Sequence, residues 1–497
     1  MKLGRGVDAL SVAAAKAVIS LWVLWAGFRA VSDDDYARIV IAQRFAEAPA
    51  LDPSGTSWLP LPFWVYGSSF ALFGGGLAVA RGLAIALGMA SVLLVWQAAH
   101  WLGVSRTGAL LGALLAAAFP WSAWLGAAPL PEAPTAGLLV IGLAGLANFD
   151  PRRRLLGAAA VAAACLCRYE AWPVALAFAG LSLLDARRAT PVDIDGGSLP
   201  PPPDPETASA PRFAGPGRAR SPWLAAAAVA LFPIAAWLAH GVARHGDALF
   251  FWKRVAGYRD ALGGGPPLVE RLIGVPAALF REEPGLVLLL VVLVPFTRPL
   301  ARYRRPLIAA AALLAFLLAG EIGGGGPTHH AGRALLPLWY LGAVIVGDAV
   351  GRRVLDPARR TSVWLAAPFT LIVGSLWVVG TALPRDFVNR DHALEVGKRA
   401  RELGAPALLI DTPDFTHLAV TAGFARPSAT DALDDHDPRH ARPDDPFTSE
   451  ATLRRTLATH DRAWLVATRT HARVATAIGK VRAENADFLL IEPARAP

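Results

Sequence analysis

Long apolar segments separated by short arginine clusters are the feature that most constrains the fold of this 497-residue chain. Hydrophobic residues make up 54% of the sequence and charged residues only 18%, whereas soluble chains carry about a quarter charged residues. Cytoplasmic loops of membrane proteins are rich in Lys and Arg, so the clusters indicate the inner side of a membrane. They lie at residues 106, 152–154, 187–188, 298–305 and 352–360. The pattern predicts a multispanning membrane protein.

Two inner clusters must be separated by an even number of crossings, and this rule predicts about eleven transmembrane helices. The first apolar run, 7–31, exceeds the core of a signal peptide and is expected to be retained as a helix. The run 155–184 is predicted to form two short helices that turn at Arg168-Tyr169-Glu170. The N-terminus is then cytoplasmic, and the last helix, 362–383, leads to an external C-terminus.

Two segments do not resemble membrane spans. Residues 189–222 are rich in Pro, Gly and Ser, which is typical of a disordered linker, here on the cytoplasmic side. Residues 385–497 contain three strand-like runs, 407–410, 464–467 and 488–491, separated by polar helical stretches. We therefore expect a membrane domain over 1–384 and a small external α/β domain over 385–497. The net charge of +9 comes from clusters between apolar runs, so nucleic acid is not an expected partner.

Ionisable residues at the predicted external boundary mark a candidate site, because charges at or within a membrane are energetically costly. Four separate loops contribute polar side chains there: Asp33, Asp34, Asp35, Trp58, Glu132, Arg168, Tyr169, Glu170, His329, His330 and Arg333. Each group alone could be a solvated helix end, a loop acid or an interfacial ion pair. Together they predict a site for an anionic substrate carried in the membrane.

These motifs, in this order, resemble those of the GT-C superfamily of membrane glycosyltransferases. The resemblance is strongest to the branch that contains protein O-mannosyltransferases and lipid A aminoarabinose transferases. Asp33-Asp34-Asp35-Tyr36 is similar to the acidic motif that follows the first helix in this superfamily. The Pro-rich stretch that begins at Trp58 is similar to the Pro-containing segment that comes next in these proteins. Glu132 resembles an acidic residue at the end of the second external loop of these enzymes. Arg168 resembles a basic residue at which two short helices meet. Residues 332–337 resemble the motif that opens a late helix.

The resemblance implies inverting transfer of a sugar from a polyprenyl-phosphate donor to a hydroxyl acceptor at the external face. The acceptor would be a glycolipid, a polysaccharide or a protein. Asp33 is the favoured general base, with Asp34 and Asp35 as alternatives. Arg333, Arg168 and His330 would stabilise the leaving phosphate. A divalent metal stays possible, with an aspartate of the triad, Glu132 or the histidine pair as ligands. The sequence is rich in Ala, Arg and Pro and poor in Lys, which is typical of a GC-rich bacterial genome and favours a bacterial inner membrane.

A transporter or flippase of a lipid-linked or anionic substrate is the competing interpretation. Transporters place their charges near the middle of the membrane, often within an internally repeated architecture. In this sequence the charges gather at one predicted boundary, and no internal repeat is visible. These two observations favour the enzyme.

Overall fold

The computed structural model describes residues 2–188, 220–261, 267–293, 300–323, 332–355, 363–381, 383–412, 414–433, 445–460 and 462–494. Residues 189–219 of the predicted linker, 189–222, lie outside the described ranges. A helix begins at Ser221, within the last residues of that linker. The structure is mainly helical, with a small C-terminal sheet.

Sixteen helices precede the C-terminal part in the described residues. They are α1 Lys2–Trp25, α2 Asp34–Glu47, α3 Leu61–Phe73, α4 Leu77–Trp101, α5 Arg106–Ala118, α6 Pro120–Leu125, α7 Glu132–Ala147, α8 Pro151–Cys165, α9 Ala171–Arg188, α10 Ser221–His245, α11 Phe250–Ala261, α12 Leu268–Arg281, α13 Pro284–Leu293, α14 Arg304–Ile322, α15 Gly332–Leu355 and α16 Val363–Thr381.

Five described helical segments are long and apolar enough to cross a membrane: Arg5–Trp25, Leu77–Trp101, Ser221–His245, Ala301–Ile322 and Gly332–Arg352. Five shorter apolar helices accompany them: Leu61–Phe73, Arg106–Ala118, Glu132–Ala147, Pro284–Leu293 and Pro368–Thr381. By length and composition these segments agree with the predicted polytopic membrane architecture, while the number of about eleven spans stays a prediction. The break predicted at 168–170 is present, because α8 ends at Cys165 and α9 begins at Ala171.

Several predicted inner arginines meet at one end of the helical bundle. The ion pairs there are Arg106–Asp8, Arg154–Asp185, Arg305–Asp185, Arg302–Asp348 and Arg352–Asp348. Arg106 joins α5 to α1, and Arg154 and Arg305 join α8 and α14 to the last turn of α9. Arg302, which precedes α14, binds α15, and the Arg352–Asp348 pair lies within α15. Residues at the opposite ends of α1, α8, α9 and α15 therefore face away from these arginines, and they include most of the candidate site.

Small residues let α5 and α15 pack backbone to backbone. A Cβ at Gly347 would overlap the carbonyl of Gly108, and one at Gly112 would lie 2.9 Å from the Ala343 carbonyl. Small residues at such crossings permit the close van der Waals contact that drives helix association in membranes. This packing holds the first turn of α15, where Arg333 lies, in a defined position against the rest of the bundle.

The C-terminal part folds as a five-stranded sheet with helices on its faces. Its strands are β1 Ala407–Ile410, β2 Thr430–Ala432, β3 Ala463–Thr468, β4 Gly479–Glu484 and β5 Phe488–Pro493, in the order β2-β1-β3-β5-β4. Strand β1 is parallel to β2 and β3, whereas β5 is antiparallel to β3 and β4. The helices are α17 Asp391–Glu402, α18 Thr416–Phe424, α19 Glu450–Ala458 and α20 Ala472–Ala477. The three predicted strands are confirmed, and β2 and β4 were not predicted.

One apolar cluster joins this sheet to the membrane part. Tyr36, Ile39 and Val40 of α2 are buried together with Val396 of α17 and Val420 of α18. The backbone of Val388 also donates a hydrogen bond to the carbonyl of Ala30, at 3.1 Å. The C-terminal domain thus packs directly on the helix that carries Asp34 and Asp35.

Candidate active site

The three aspartates after α1 have three different environments. Asp33 is the N-cap residue of α2, and Asp34 and Asp35 lie in its first turn, where the helix dipole favours negative charge. Asp33 accepts two hydrogen bonds of 3.0 Å from Arg390, which also pairs with Asp414 at 3.2 Å. Asp33 is therefore occupied in holding the C-terminal domain against α2.

Asp34 is the most accessible of the three. Its side chain is 44% exposed, compared with 20% for Asp33. Its Oδ2 atom lies 3.3 Å from Nη1 of Arg333, and no described residue donates a hydrogen bond to Oδ1. A carboxylate with one free oxygen, open to a substrate and beside fixed cations, has the geometry that a general base requires.

Asp35 is fully buried. Its Oδ2 accepts a 3.3 Å hydrogen bond from the backbone of Ser32, and Oδ1 has no partner among the described residues. Burial raises the pKa of Asp35 from 3.8 to about 7, although Arg81 and Arg333 oppose the shift. Asp35 is therefore protonated over much of the mildly acidic range, and its side chain is closed off from solvent.

Asp35 is expected to make stability depend on pH. Because its pKa is higher in the folded protein, the folded state binds more protons than the unfolded state between about pH 4 and pH 7. Stability should therefore fall as the pH rises through this window, and Asp35→Asn should remove that fall. Thermal unfolding in detergent at intervals from pH 5 to pH 8 measures the effect. Parallel curves for the two proteins would contradict the assignment.

Glu132 is the centre of a buried ion-pair network. Its Oε1 atom accepts hydrogen bonds from Arg333 Nε at 2.8 Å and from Arg168 Nη1 at 2.5 Å. Arg168 also binds Glu170 through Nε at 3.1 Å and Nη2 at 2.5 Å. The Glu132 side chain is fully buried, and those of Arg333 and Arg168 are 7% and 17% exposed. The network therefore joins the first turns of α7 and α15 to the turn between α8 and α9.

The turn between α8 and α9 is fixed by aromatic contacts. Tyr169 stacks on Phe251 of α11 with 4.2 Å between ring centroids. Its hydroxyl donates a 2.8 Å hydrogen bond to the carbonyl of Ser57 and accepts one of 3.0 Å from Trp237. Burial of Arg168 disfavours its charge, but Glu170 and Glu132 outweigh that effect and raise the pKa of Arg168. Arg168 thus stays a permanent cation in a rigid position.

Arg38 is a site residue that the sequence analysis missed. It lies one turn after Asp34 on α2, and its guanidinium stacks 4.4 Å from the ring centroid of Trp58. The residue is only 9% exposed, and its Nε has no hydrogen-bond partner among the described residues. No described carboxylate lies within ion-pair distance of it. The spacing of four residues from Asp34 was the available signal, since such residues share a helix face.

The structure therefore brings together Asp34, Trp58, Glu132, Arg168, Tyr169, Glu170 and Arg333, with Asp33 and Asp35 at one edge. His329 and His330 lie outside the described residues. Arg390 was also missed, because its role depends on the docking of the C-terminal domain. Three arginines, Arg38, Arg168 and Arg333, face an accessible aspartate. Such an arrangement can bind a phosphate and remove a proton from a nearby hydroxyl.

Comparison with known proteins supports the fold. No family profile matches the chain, and no curated protein does either. Two crystal structures of ArnT from Cupriavidus metallidurans match the chain, one bound to undecaprenyl phosphate and one in the apo state. Each has a TM-score of 0.58 at 14% identity, and each alignment covers 99% of this chain and 98% of the ArnT chain. The oligosaccharyltransferase of Archaeoglobus fulgidus in the apo form matches with a TM-score of 0.51 at 12% identity, covering 93% of this chain and 69% of that one. The chain therefore shares its overall fold with ArnT and with this oligosaccharyltransferase, in agreement with the resemblance that the motifs carry.

Proposed function

We propose that this protein is an inverting membrane glycosyltransferase that uses a polyprenyl-phosphate sugar. The observation that carries the proposal is Arg38, a buried guanidinium with no carboxylate partner among the described residues, beside the accessible carboxylate of Asp34. Glu132 and Asp34 offset part of the cost of burying this cation, but neither forms an ion pair with it, so a bound anion would be favoured there. The likeness to a structure that contains undecaprenyl phosphate supports a lipid phosphate as that anion.

Asp34 is the proposed general base. In the reaction, the acceptor oxygen attacks the anomeric carbon of the sugar while the bond from that carbon to the phosphate oxygen breaks. The acceptor proton passes to Asp34, and the polyprenyl phosphate leaves with the bonding electron pair. One displacement of this kind inverts the configuration at the anomeric carbon.

Arg38, Arg168 and Arg333 are proposed to bind the phosphate. The negative charge on the leaving group grows in the transition state, and fixed cations in a site that excludes water stabilise it effectively. Glu132 and Glu170 would hold Arg168 and Arg333 in place without a substrate, so that the site needs little rearrangement. Trp58 would fix the plane of the Arg38 guanidinium.

The site is proposed to face the outside of a bacterial inner membrane. The arginine-rich end of the bundle would lie in the cytoplasm, in accordance with the usual bias of inner loops. The N-terminus would then be cytoplasmic and the C-terminal α/β domain external. The acceptor would be a glycolipid, a polysaccharide or a protein that reaches Asp34 from the external side.

Release of free lipid phosphate tests the proposal. Purified protein in detergent is incubated with a panel of radiolabelled polyprenyl-phosphate sugars and a membrane extract as the source of acceptor. We expect release of polyprenyl phosphate from one donor, and transfer of its label to the acceptor fraction. Saturable binding of the donor without release in any reaction would contradict the enzyme and favour a transporter.

Arg38→Met is expected to weaken donor binding by about 10–100-fold, because one charge-assisted contact to the phosphate is lost. Arg38→Lys should restore part of the affinity, since it keeps the charge but not the planar stack on Trp58. Arg44→Met is the matched control, because Arg44 is an exposed residue in the last turn of the same helix. Donor dissociation constants for the three variants provide the measurement. Equal affinity of Arg38→Met and the wild-type protein would overturn the phosphate assignment.

A further inference from the structure

A cavity of about 560 Å³ lies at one edge of the C-terminal sheet. Thr412, just after β1, and Thr468, at the end of β3, line it together with the start of α17 and the turn before β5. From β1 the chain passes to β2 on one side and later to β3 on the other side. In open α/β sheets, ligands bind at the carboxyl ends of strands where the order reverses in this way. The volume also lies in the range of about 300–1,000 Å³ that is usual for small-molecule sites.

The charged side chains around the cavity do not suit an anion. Asp391, Asp414 and Asp487 line it, and their side chains are 45%, 41% and 61% exposed. The two basic side chains of the lining already have acidic partners. Arg390 binds Asp414 at 3.2 Å, and His392 binds Asp487 at 2.7 Å. A phosphate would therefore meet more carboxylates than cations, in contrast to its proposed site at Arg38.

The lining is rich in groups that accept hydrogen bonds. The Thr412 hydroxyl donates to the carbonyl of Asp414 at 3.0 Å, and the Thr468 hydroxyl donates to the carboxylate of Asp411 at 2.9 Å. The lone pairs of these hydroxyls stay available to a ligand, as do those of the carboxylates. A matching ligand must therefore carry many donors and no negative charge. The adjacent hydroxyl groups of a sugar have this property.

We propose that this cavity binds a neutral saccharide, the sugar part of the acceptor. Its role as acceptor rests on the proposed function, whereas the binding of a saccharide does not. Phe488 also lines the cavity and gives an apolar surface on which a sugar ring can lie. A peptide fits less well, because peptide recognition uses a free strand edge, an apolar groove or aromatic-lined pockets.

The cavity is connected to the acidic motif by its own lining. Arg390 donates hydrogen bonds of 3.0 Å to both carboxylate oxygens of Asp33, the residue before the proposed base Asp34. Asp391 accepts two hydrogen bonds from Nε of Arg29, at 2.8 and 3.1 Å, just before the same motif. A saccharide in the cavity would thus lie beside the motif, with its neighbouring sugar units near the base. This position favours a glycolipid or a polysaccharide as the acceptor over a protein.

Saturation-transfer NMR detects weak saccharide binding and tests the proposal without a donor. Full-length protein is prepared in a detergent that has no sugar headgroup and is mixed with neutral trisaccharides of mannose, glucose, galactose or arabinose. We expect saturable transfer to at least one of them. Inorganic phosphate and a threonine-containing peptide are the competing probes, and neither should displace the saccharide. Absence of transfer to every trisaccharide, or displacement by either probe, would overturn the proposal.

Asp487→Asn should weaken saccharide binding by about 10-fold, because a charge-assisted hydrogen bond becomes a neutral one. Asp431→Asn is the matched control. Asp431 also pairs with a histidine, His460, at 3.1 Å, and its side chain is 67% exposed outside the cavity. His392→Trp narrows the cavity and keeps every carboxylate, and it should weaken binding as well. Wild-type affinity in both cavity variants, or an equal loss in Asp431→Asn, would count against the site.

Saccharide binding and sugar transfer can fail separately. Binding of a trisaccharide without release of polyprenyl phosphate from any donor would support this site and contradict the enzyme. Transfer of label to a protein, without saccharide binding, would support the enzyme and overturn the saccharide acceptor. In an active reaction, extraction of the labelled product into an organic or an aqueous phase distinguishes a glycolipid from a polysaccharide.

Discussion

Replacing Asp34 by Asn should lower sugar transfer by about 10²–10⁴-fold, the usual contribution of a general base. Asn has nearly the same volume as Asp and can still accept the hydrogen bond from Arg333, so the site should keep its shape. It cannot take the proton of the acceptor hydroxyl. We therefore expect the loss in turnover rather than in donor affinity, and single-turnover kinetics with saturating donor measure it.

Asp33→Asn and Asp35→Asn are the matched controls, because they make the same chemical change at the adjacent positions. Asp33→Asn should weaken the contact with Arg390, and its main effect should be lower stability of the domain interface. Asp35→Asn should change the pH dependence of stability and leave most of the turnover. Full turnover of Asp34→Asn together with a large loss for Asp33→Asn would transfer the role of base to Asp33.

Replacing Arg333 by Met should lower the free energy of unfolding by about 3–5 kcal/mol. Arg333 is buried and binds the fully buried Glu132 at 2.6 Å. Without Arg333, Arg168 is the one ion-pair partner that the fully buried Glu132 keeps among the described residues. A buried charge that loses its main partner costs far more than the pair contributes when intact. Reversible unfolding in detergent measures the difference, and donor binding should weaken as well.

The double variant Glu132→Gln, Arg333→Met should be more stable than Arg333→Met alone, because it also removes the buried carboxylate that has lost one of its two arginines. Arg454→Met is the matched control. Arg454 binds Glu450 at 2.8 Å, and the two side chains are 44% and 50% exposed. An exposed pair contributes about 0–1 kcal/mol, so this variant should be nearly as stable as the wild-type protein. Similar losses at Arg333 and Arg454 would show that burial does not set the cost.

The secondary structure followed closely from the sequence where the signal is local. A run of apolar residues long enough for a helix is readable without knowledge of its neighbours, and so is a polar break such as 168–170. The strands β1, β3 and β5 are short apolar runs and were predicted correctly. Strand β2 has only three residues, and β4 is mostly exposed and polar, so neither has the apolar pattern of a buried strand.

The residue types of the candidate site also followed from the sequence, because ionisable groups near a membrane are rare enough to stand out. The different environments of the three aspartates did not follow from the sequence. Arg333 lies 299 positions from Asp34, and Arg390 lies 357 positions from Asp33. Only the packing of α15 and of the C-terminal domain on α2 decides which aspartate each arginine meets. Three adjacent carboxylates of one chemical type thus acquire three different environments.

The sequence by itself predicted a helical membrane protein with an acidic motif, arginines near the same boundary and a small C-terminal α/β fold. Apolar periodicity and charge distribution are properties of neighbouring residues, and they act before any tertiary contact forms. The tertiary structure alone decided that Asp34 is accessible, that Asp35 is buried and that Arg38 has no acidic partner in the described part of the chain. Burial and ion pairing depend on distances between residues that are far apart in sequence, and only the packed helices set those distances.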